Sequence, residues 1–223
     1  MPVEFGRISQ DRSDKPVIIV ACGPSMAGFD LGRLRGLGHV IAVKEMVFDI
    51  PWADEGFSLD LGWISKARRQ RDIEQSAMPI ILALPTDENL HIDAPTPRPG
   101  LTFVERRRGA FLSSDPRIVH SGGNSGFGAL TLPYQRGARH VFLFGYDYRT
   151  GNGLHHYDNS RYPLAQEHGH WRGWARKFDL IKDQVAAAGM RITIAGPSEI
   201  TAFPRVSHDD AIENLSRLRS SRG

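Results

Sequence analysis

Cysteine is nearly absent from this sequence: Cys22 is the only one. A lone cysteine excludes an intrachain disulfide and any zinc site built from paired cysteines. Long apolar runs are missing too, and none approaches the roughly 20 residues that a membrane-spanning helix requires. The start, Met1-Pro2-Val3-Glu4-Phe5, has neither the basic nor the apolar region of a secretory signal. The expected setting is therefore the cytoplasm, with no membrane segment. Charge of one sign is scarce: 28 basic against 25 acidic residues leave only +3, too small an excess to imply nucleic acid by itself. Internal repeats, low-complexity linkers, the G-x-G-x-x-G fingerprint, a Walker lysine loop and H-E-x-x-H are all lacking. At 223 residues the chain fits one sizeable domain, since domains usually run about 100–200 residues.

What is present is a series of short, continuous apolar runs bounded by turn residues. They are PVIIVAC (Pro16 to Cys22), HVIAV (His39 to Val43), Phe57-Ser58-Leu59, PIILAL (Pro79 to Leu84), HVFLF (His140 to Phe144) and MRITIA (Met190 to Ala195). Such runs are what strands buried on both faces of a parallel sheet look like. Between them, Met26 to Leu37, Ile64 to Gln75 and Ser125 to Gly137 are helix-compatible. Trp171, Trp174, Phe178, Ile181 and Val185 recur at 3, 4, 3, 4 spacing, which predicts a helix laying an apolar stripe on the sheet, with Gly189 as its cap and both tryptophans inward. Strands alternating with helices predict an α/β fold. The expected architecture is a Rossmann-like, mostly parallel sheet with helices on both faces, in a single domain. Residues 1–15 form an arm, 16–204 the nucleotide-binding domain and 205–223 a C-terminal helix and tail. The proline-rich stretch 85–116 reads as an insertion or lid, with LTFVE (Leu101 to Glu105) strand-compatible.

Ligands of open α/β sheets collect at the carboxyl ends of the strands, so the residues following each run carry the functional reading. Gly23-Pro24-Ser25 follows the first run, Asp60 the third, Gly145-Tyr146-Asp147-Tyr148 follows HVFLF, and Gly196-Pro197-Ser198 follows the last. Gly23 and Ser25 suit a phosphate cradle, or simply a tight strand-to-helix turn. In Ser121-Gly122-Gly123-Asn124-Ser125-Gly126, Asn124 or Ser125 caps the helix beyond, and its amides suit an anion. Asp60 and Asp147 are ordinary strand-end residues, ligands for a divalent cation, or groups that activate an acceptor hydroxyl. Four of the nine histidines fall within 16 residues, His155, His156, His168 and His170, as a polar loop or as a source of a general base. The basic clusters Arg68-Arg69-Arg71, Arg106-Arg107-Arg108 and Arg217 to Arg222 read as solvated faces, with contact to nucleic-acid phosphate the alternative that charge runs alone do not argue.

VIIVACGPSMAGFDLGRL (Val17 to Leu34) resembles the opening of the bacterial family 42 sialyltransferases, and RIVHSGGNSGFGALTLPYQRGARHVFLFGYDY (Arg117 to Tyr148) resembles their second signature. The same two blocks are similar to a broad superfamily that includes the archaeal 6-hydroxymethylpterin pyrophosphokinases. PWADEGFSLDLGW (Pro51 to Trp63) and GGNSGFGAL (Gly122 to Leu130) look most like members carried by tailed bacteriophages, and GPSEITAFP (Gly196 to Pro204) also fits. The resemblance spans residues 16–204. It implies a nucleotide contacted by Gly23, Pro24, Ser25, Asn124, Ser125 and Gly126, with Lys44 standing where the sialyltransferases carry an asparagine. It also implies a metal-independent histidine base in the HHYDNSRY segment. In one alignment Asn159 takes that position, and His155 or His156 substitutes. The pyrophosphokinase branch implies Mg²⁺, which Asp60 and Asp147 would hold.

The leading expectation is a transferase using a nucleotide or nucleotide-sugar donor, most like a glycosyltransferase. Its base is His155, His156 or Asp147, Mg²⁺ is not required, and its acceptor is a glycan or modified phage DNA in the host cytoplasm. The alternatives are Mg²⁺-dependent pyrophosphoryl or phosphoryl transfer from ATP and a non-catalytic phage accessory protein that keeps the fold.

Overall fold

The computed structural model describes residues 4–10, 14–65, 67–86, 94–149 and 170–221. Its centre is a nine-stranded sheet in which every pairing is parallel. In chain order the strands are β1 (Val17–Val20), β2 (His39–Val43), β3 (Glu55–Ser58), β4 (Ile80–Leu84), β5 (Leu101–Arg107), β6 (Ile118–His120), β7 (His140–Phe144), β8 (Arg191–Ala195) and β9 (Arg205–Val206). In space they run β6-β5-β4-β3-β2-β1-β7-β8-β9. The chain thus builds outward from β1 to one edge, returns to the far side of β1, and builds outward again.

The apolar runs form strands because both sheet faces are covered, so a strand position facing either way is dry. Val17, Ile19, Ile41 and Val43 join one core, while Ile18, Val20, Val40 and Ala42 join the other. The first core is closed by Phe127 of α4 (Ser125–Ala129), Leu132 of α5 (Thr131–Gln135), Ala175 of α6 (His170–Arg176), Phe178 and Ile181 of a 3₁₀ stretch, and Val185 of α7 (Lys182–Ala187). Four helices close the second: α1 (Met46–Asp49) through Met46, α2 (Leu61–Ile64) through Trp63 and Ile64, α3 (Ala67–Gln75) through Ile73, and α8 (His208–Ser220) through Ala211 and Leu215. The α/β architecture with helices on both faces is as the sequence predicts. No helix among the described residues is long and apolar enough to cross a membrane.

Several local expectations are corrected. Met26 to Leu37 makes two single 3₁₀ turns, Pro24–Met26 and Leu31–Leu34, because Gly28 and Gly36 between and after them take positive φ. Ser125 to Gly137 is two short helices, since Pro133 has no N–H to continue the ladder. Trp171 and Trp174 are only half-buried and meet edge to face, 5.2 Å between ring centroids, while Ala175 takes the inward place. Within the proline-rich stretch, Leu101–Arg107 is an internal strand hydrogen-bonded between β4 and β6, so that part is sheet rather than lid.

Candidate functional site

Strand order reverses at β1, which has β2 on one side and β7 on the other. The connections from β1 and β7 leave toward opposite wings there, the position at whose carboxyl ends open α/β sheets generally bind ligands. The chain leaves β1 through the turn Gly23–Ser25 and β7 through Gly145–Tyr148. The two turns lie backbone to backbone: the Gly23 N–H donates to the Gly145 carbonyl at 3.0 Å. A Cβ on Gly145, whose φ is +70°, would sit 2.1 Å from the Ala21 carbonyl oxygen.

Asp147 is buried beside this contact. Its Oδ1 accepts the Ser25 N–H at 3.1 Å and its Oδ2 accepts the Ser25 hydroxyl at 2.8 Å. Burial pushes the carboxyl above its usual range, and the two Ser25 donors offset that only in part. Behind it, His208 at the start of α8 stacks on Phe144 at 5.7 Å and also packs on Phe29. Burial lowers the His208 imidazole, against the pull of the Asp147 charge. Cys22 donates to the Val43 carbonyl at 3.6 Å, and burial pushes its thiol up to about 12.

The residues flanking Asp147 fasten the second glycine segment. Asn124 caps α4 by accepting the Phe127 N–H at 2.9 Å, and the same Oδ1 accepts the Tyr148 hydroxyl at 2.6 Å. The Tyr146 hydroxyl donates to the Gly126 carbonyl at 2.9 Å. Ser125, buried, accepts the Leu59 N–H at 3.2 Å and so ties α4 to the end of β3. Tyr148 has φ of 50°, unusual for a bulky residue. The loop after β8 braces the same tripeptide, with Ser198 donating to the Tyr146 carbonyl and the Glu199 N–H to the Asp147 carbonyl.

Lys44 and Asp60 form a separate pair, Nζ to Oδ2 at 2.7 Å, while Asp60 Oδ1 caps α2 by accepting the Trp63 N–H. Burial raises the Asp60 carboxyl, but the Lys44 ammonium and the cap outweigh it and hold the group below its usual range. Among the described residues no cluster of three or more histidine, cysteine or acidic side chains is placed to hold a metal. Asp60 and Asp147 enter different contacts, Asp60 with Lys44 and the Trp63 N–H, Asp147 with Ser25.

The sequence-selected residues thus fall into three contacts: Gly23–Ser25 with Asp147, Asn124–Gly126 with Tyr146 and Tyr148, and Lys44 with Asp60. His155 and His156 lie outside the described residues. Sequence reasoning missed Tyr146 and Tyr148, though the Tyr-Asp-Tyr string beside a strand-end glycine was visible. It had no signal for His208, which reaches the site only by folding. No family model matches this chain, and no curated protein matches it.

Proposed function

We propose that the chain is a nucleotide-dependent group-transfer enzyme, most like a glycosyltransferase, with its donor seated at the carboxyl ends of β1 and β7. One observation carries the reading: the tripeptide Tyr146-Asp147-Tyr148 hydrogen-bonds both glycine turns. It gathers them at the reversal of strand order, where open α/β sheets bind ligands. Asp147 then acts as the residue that holds Ser25 in place, because both its oxygens accept from Ser25. Lys44 supplies a cation near the phosphates. Its φ of 56° is one that asparagine adopts more easily than lysine, in keeping with the asparagine of the resembling sialyltransferases. An acceptor hydroxyl would lose its proton to a histidine of the 155–156 segment.

The test is a thermal-shift panel of CMP-, UDP- and GDP-sugars and ATP, in EDTA or in Mg²⁺. The expected result is a rise of about 5–10 °C with one sugar nucleotide in EDTA, the size that about 100-fold saturation produces in a chain of this length. Ser25→Ala should abolish that rise. Stabilisation by ATP only with Mg²⁺ would replace this reading with phosphoryl transfer. Silence across the panel from a folded protein would leave the non-catalytic reading.

A further inference from the structure

A cleft of about 630 Å³ opens at the carboxyl ends of β3 to β6, lined by Leu59, Ser121, Gly123 and the consecutive Arg106, Arg107 and Arg108. Side chains alternate across a strand, so the three arginines divide between the two faces at this edge. Arg106 falls on the α4 side and donates NH1 to the Leu59 carbonyl at 2.9 Å. Half-buried and anchored, it is held in place before any ligand arrives. The nearest acidic influence on it, Asp60, is already hydrogen-bonded to Lys44. Arg107 is neutralised by Glu105 through two hydrogen bonds of 2.7 and 2.9 Å.

Two further cations have no counter-charge among the described residues. Arg108, exposed at the mouth, has no carboxylate partner among the described residues. Neither does Lys177, whose Nζ lies over Gly123, 2.8 Å from where a Cβ on that glycine would stand. A glycine at this point leaves room for the ammonium beside the cleft. The cleft is therefore lined by the anchored Arg106 and the exposed Arg108, with Lys177 beside its Gly123 wall, around a volume typical of small-molecule sites. That surplus matches an anion carrying more than one charge, the kind of ligand that arginine and lysine bind.

We infer that this cleft is an anion subsite for a small molecule bearing a phosphate monoester, which serves as the acceptor. The acceptor role rests on the group-transfer reading; the anion site does not. A nucleic acid is the poorer match, because a backbone needs a long cationic track. At this edge Arg107 and Arg117 are each tied to a carboxylate, Glu105 and Asp115, so neither extends such a track among the described residues.

Glucose 6-phosphate, glucose, inorganic phosphate and a single-stranded 20-mer oligonucleotide serve as calorimetric probes of the full chain. Glucose 6-phosphate is expected to bind and glucose is not. Arg108→Gln and Lys177→Gln should each weaken glucose 6-phosphate about tenfold or more, the ordinary effect of one charge-assisted contact. Sugar-nucleotide affinity should stay within about twofold in both variants. Inorganic phosphate binding with the same losses would support the same site. No binding of either phosphate probe, or binding that both variants retain while melting like the wild type, would overturn the inference. So would an oligonucleotide that binds more tightly than glucose 6-phosphate and is the ligand lost in Arg108→Gln. If glucose 6-phosphate binds as expected and no nucleotide does, the anion subsite stands and the group-transfer reading falls.

Discussion

Arg136→Met is expected to lower the melting temperature by roughly 6–20 °C at neutral pH, from a loss of about 3–5 kcal/mol. Arg136, at the end of α5, pairs through both terminal nitrogens with Glu55, the first residue of β3. The side chains are only 12% and 7% exposed. His39, the first residue of β2, adds a contact to Glu55 Oε1 at 2.8 Å. Removing the guanidinium leaves a carboxylate in a dry site at the amino edge of the sheet, and that orphaned charge dominates the cost. Restoring electroneutrality with Glu55→Leu in the same chain should recover most of the loss, since an apolar pair of similar volume is often as stable as a buried ion pair.

The pH dependence has a definite sign. Burial alone would raise the Glu55 carboxyl, but its bonds to Arg136 and His39 outweigh that and hold it below its ordinary 4.5. Its contribution is therefore fully present above pH 4.5 and fades as pH falls through the lower native value. In Arg136→Met most of that compensation is gone and burial favours the protonated acid. The gap in melting temperature between variant and wild type should shrink steadily from pH 7 to pH 4. A gap that stays constant, or a single variant that loses less than about 1 kcal/mol, would show that water reaches the pair.

Gly23→Ala is expected to cost about 3 kcal/mol, or about 6–12 °C, and to abolish any nucleotide response. The added Cβ would stand 1.9 Å from Asp147 Oδ2 and 2.4 Å from the Gly145 carbonyl oxygen. The carboxylate must swing away, releasing Ser25, and the backbone of one turn must shift. The conformation of Gly23 itself is unexceptional, with φ of −60°, so contact and not backbone strain sets the cost. Gly173 on α6 is the matched control, because nothing lies within 4 Å of a Cβ there. Gly173→Ala should leave stability unchanged or raise it by up to about 1 kcal/mol. Equal melting of Gly23→Ala and wild type would mean that Asp147 does not clamp this turn.

Much of the sheet was legible because its central strands are dry on both faces. VIIV, HVIAV, IILAL, HVFLF and RITIA stand out as continuous apolar runs. The edge strands did not stand out, since β6 has three residues and β9 two; the internal β5 was read only in part, as LTFVE before its two closing arginines. Edge strands that short carry no periodicity to read. Helix ends were misjudged where single residues decide them, as Pro133 and the glycines after Met26 do.

The candidate site was legible as a set of positions and not as a set of contacts. Reading the residue after each strand located Ser25, Asp60, Asn124 and Asp147, because parallel strands must all end on one edge. Which of them meet was decided by the return of the chain from β6, at one edge, to β7 beside β1. That path brings Asp147 to Ser25 across 122 residues of sequence and lays α4 against the end of β3. It also turned Arg106 to Arg108, which composition shows only as a charged run, into the wall of a cleft.

The sequence by itself determined a parallel α/β sheet and the edge that carries the candidate site, since strand burial and strand direction are both written in local pattern. Only the tertiary structure decided the partners: Asp147 to Ser25 rather than to solvent, Asp60 to Lys44, and Glu55 to Arg136. A hydrogen bond or ion pair depends on approach to within about 3 Å, and approach across a hundred residues is set by strand order, on which local pattern is silent.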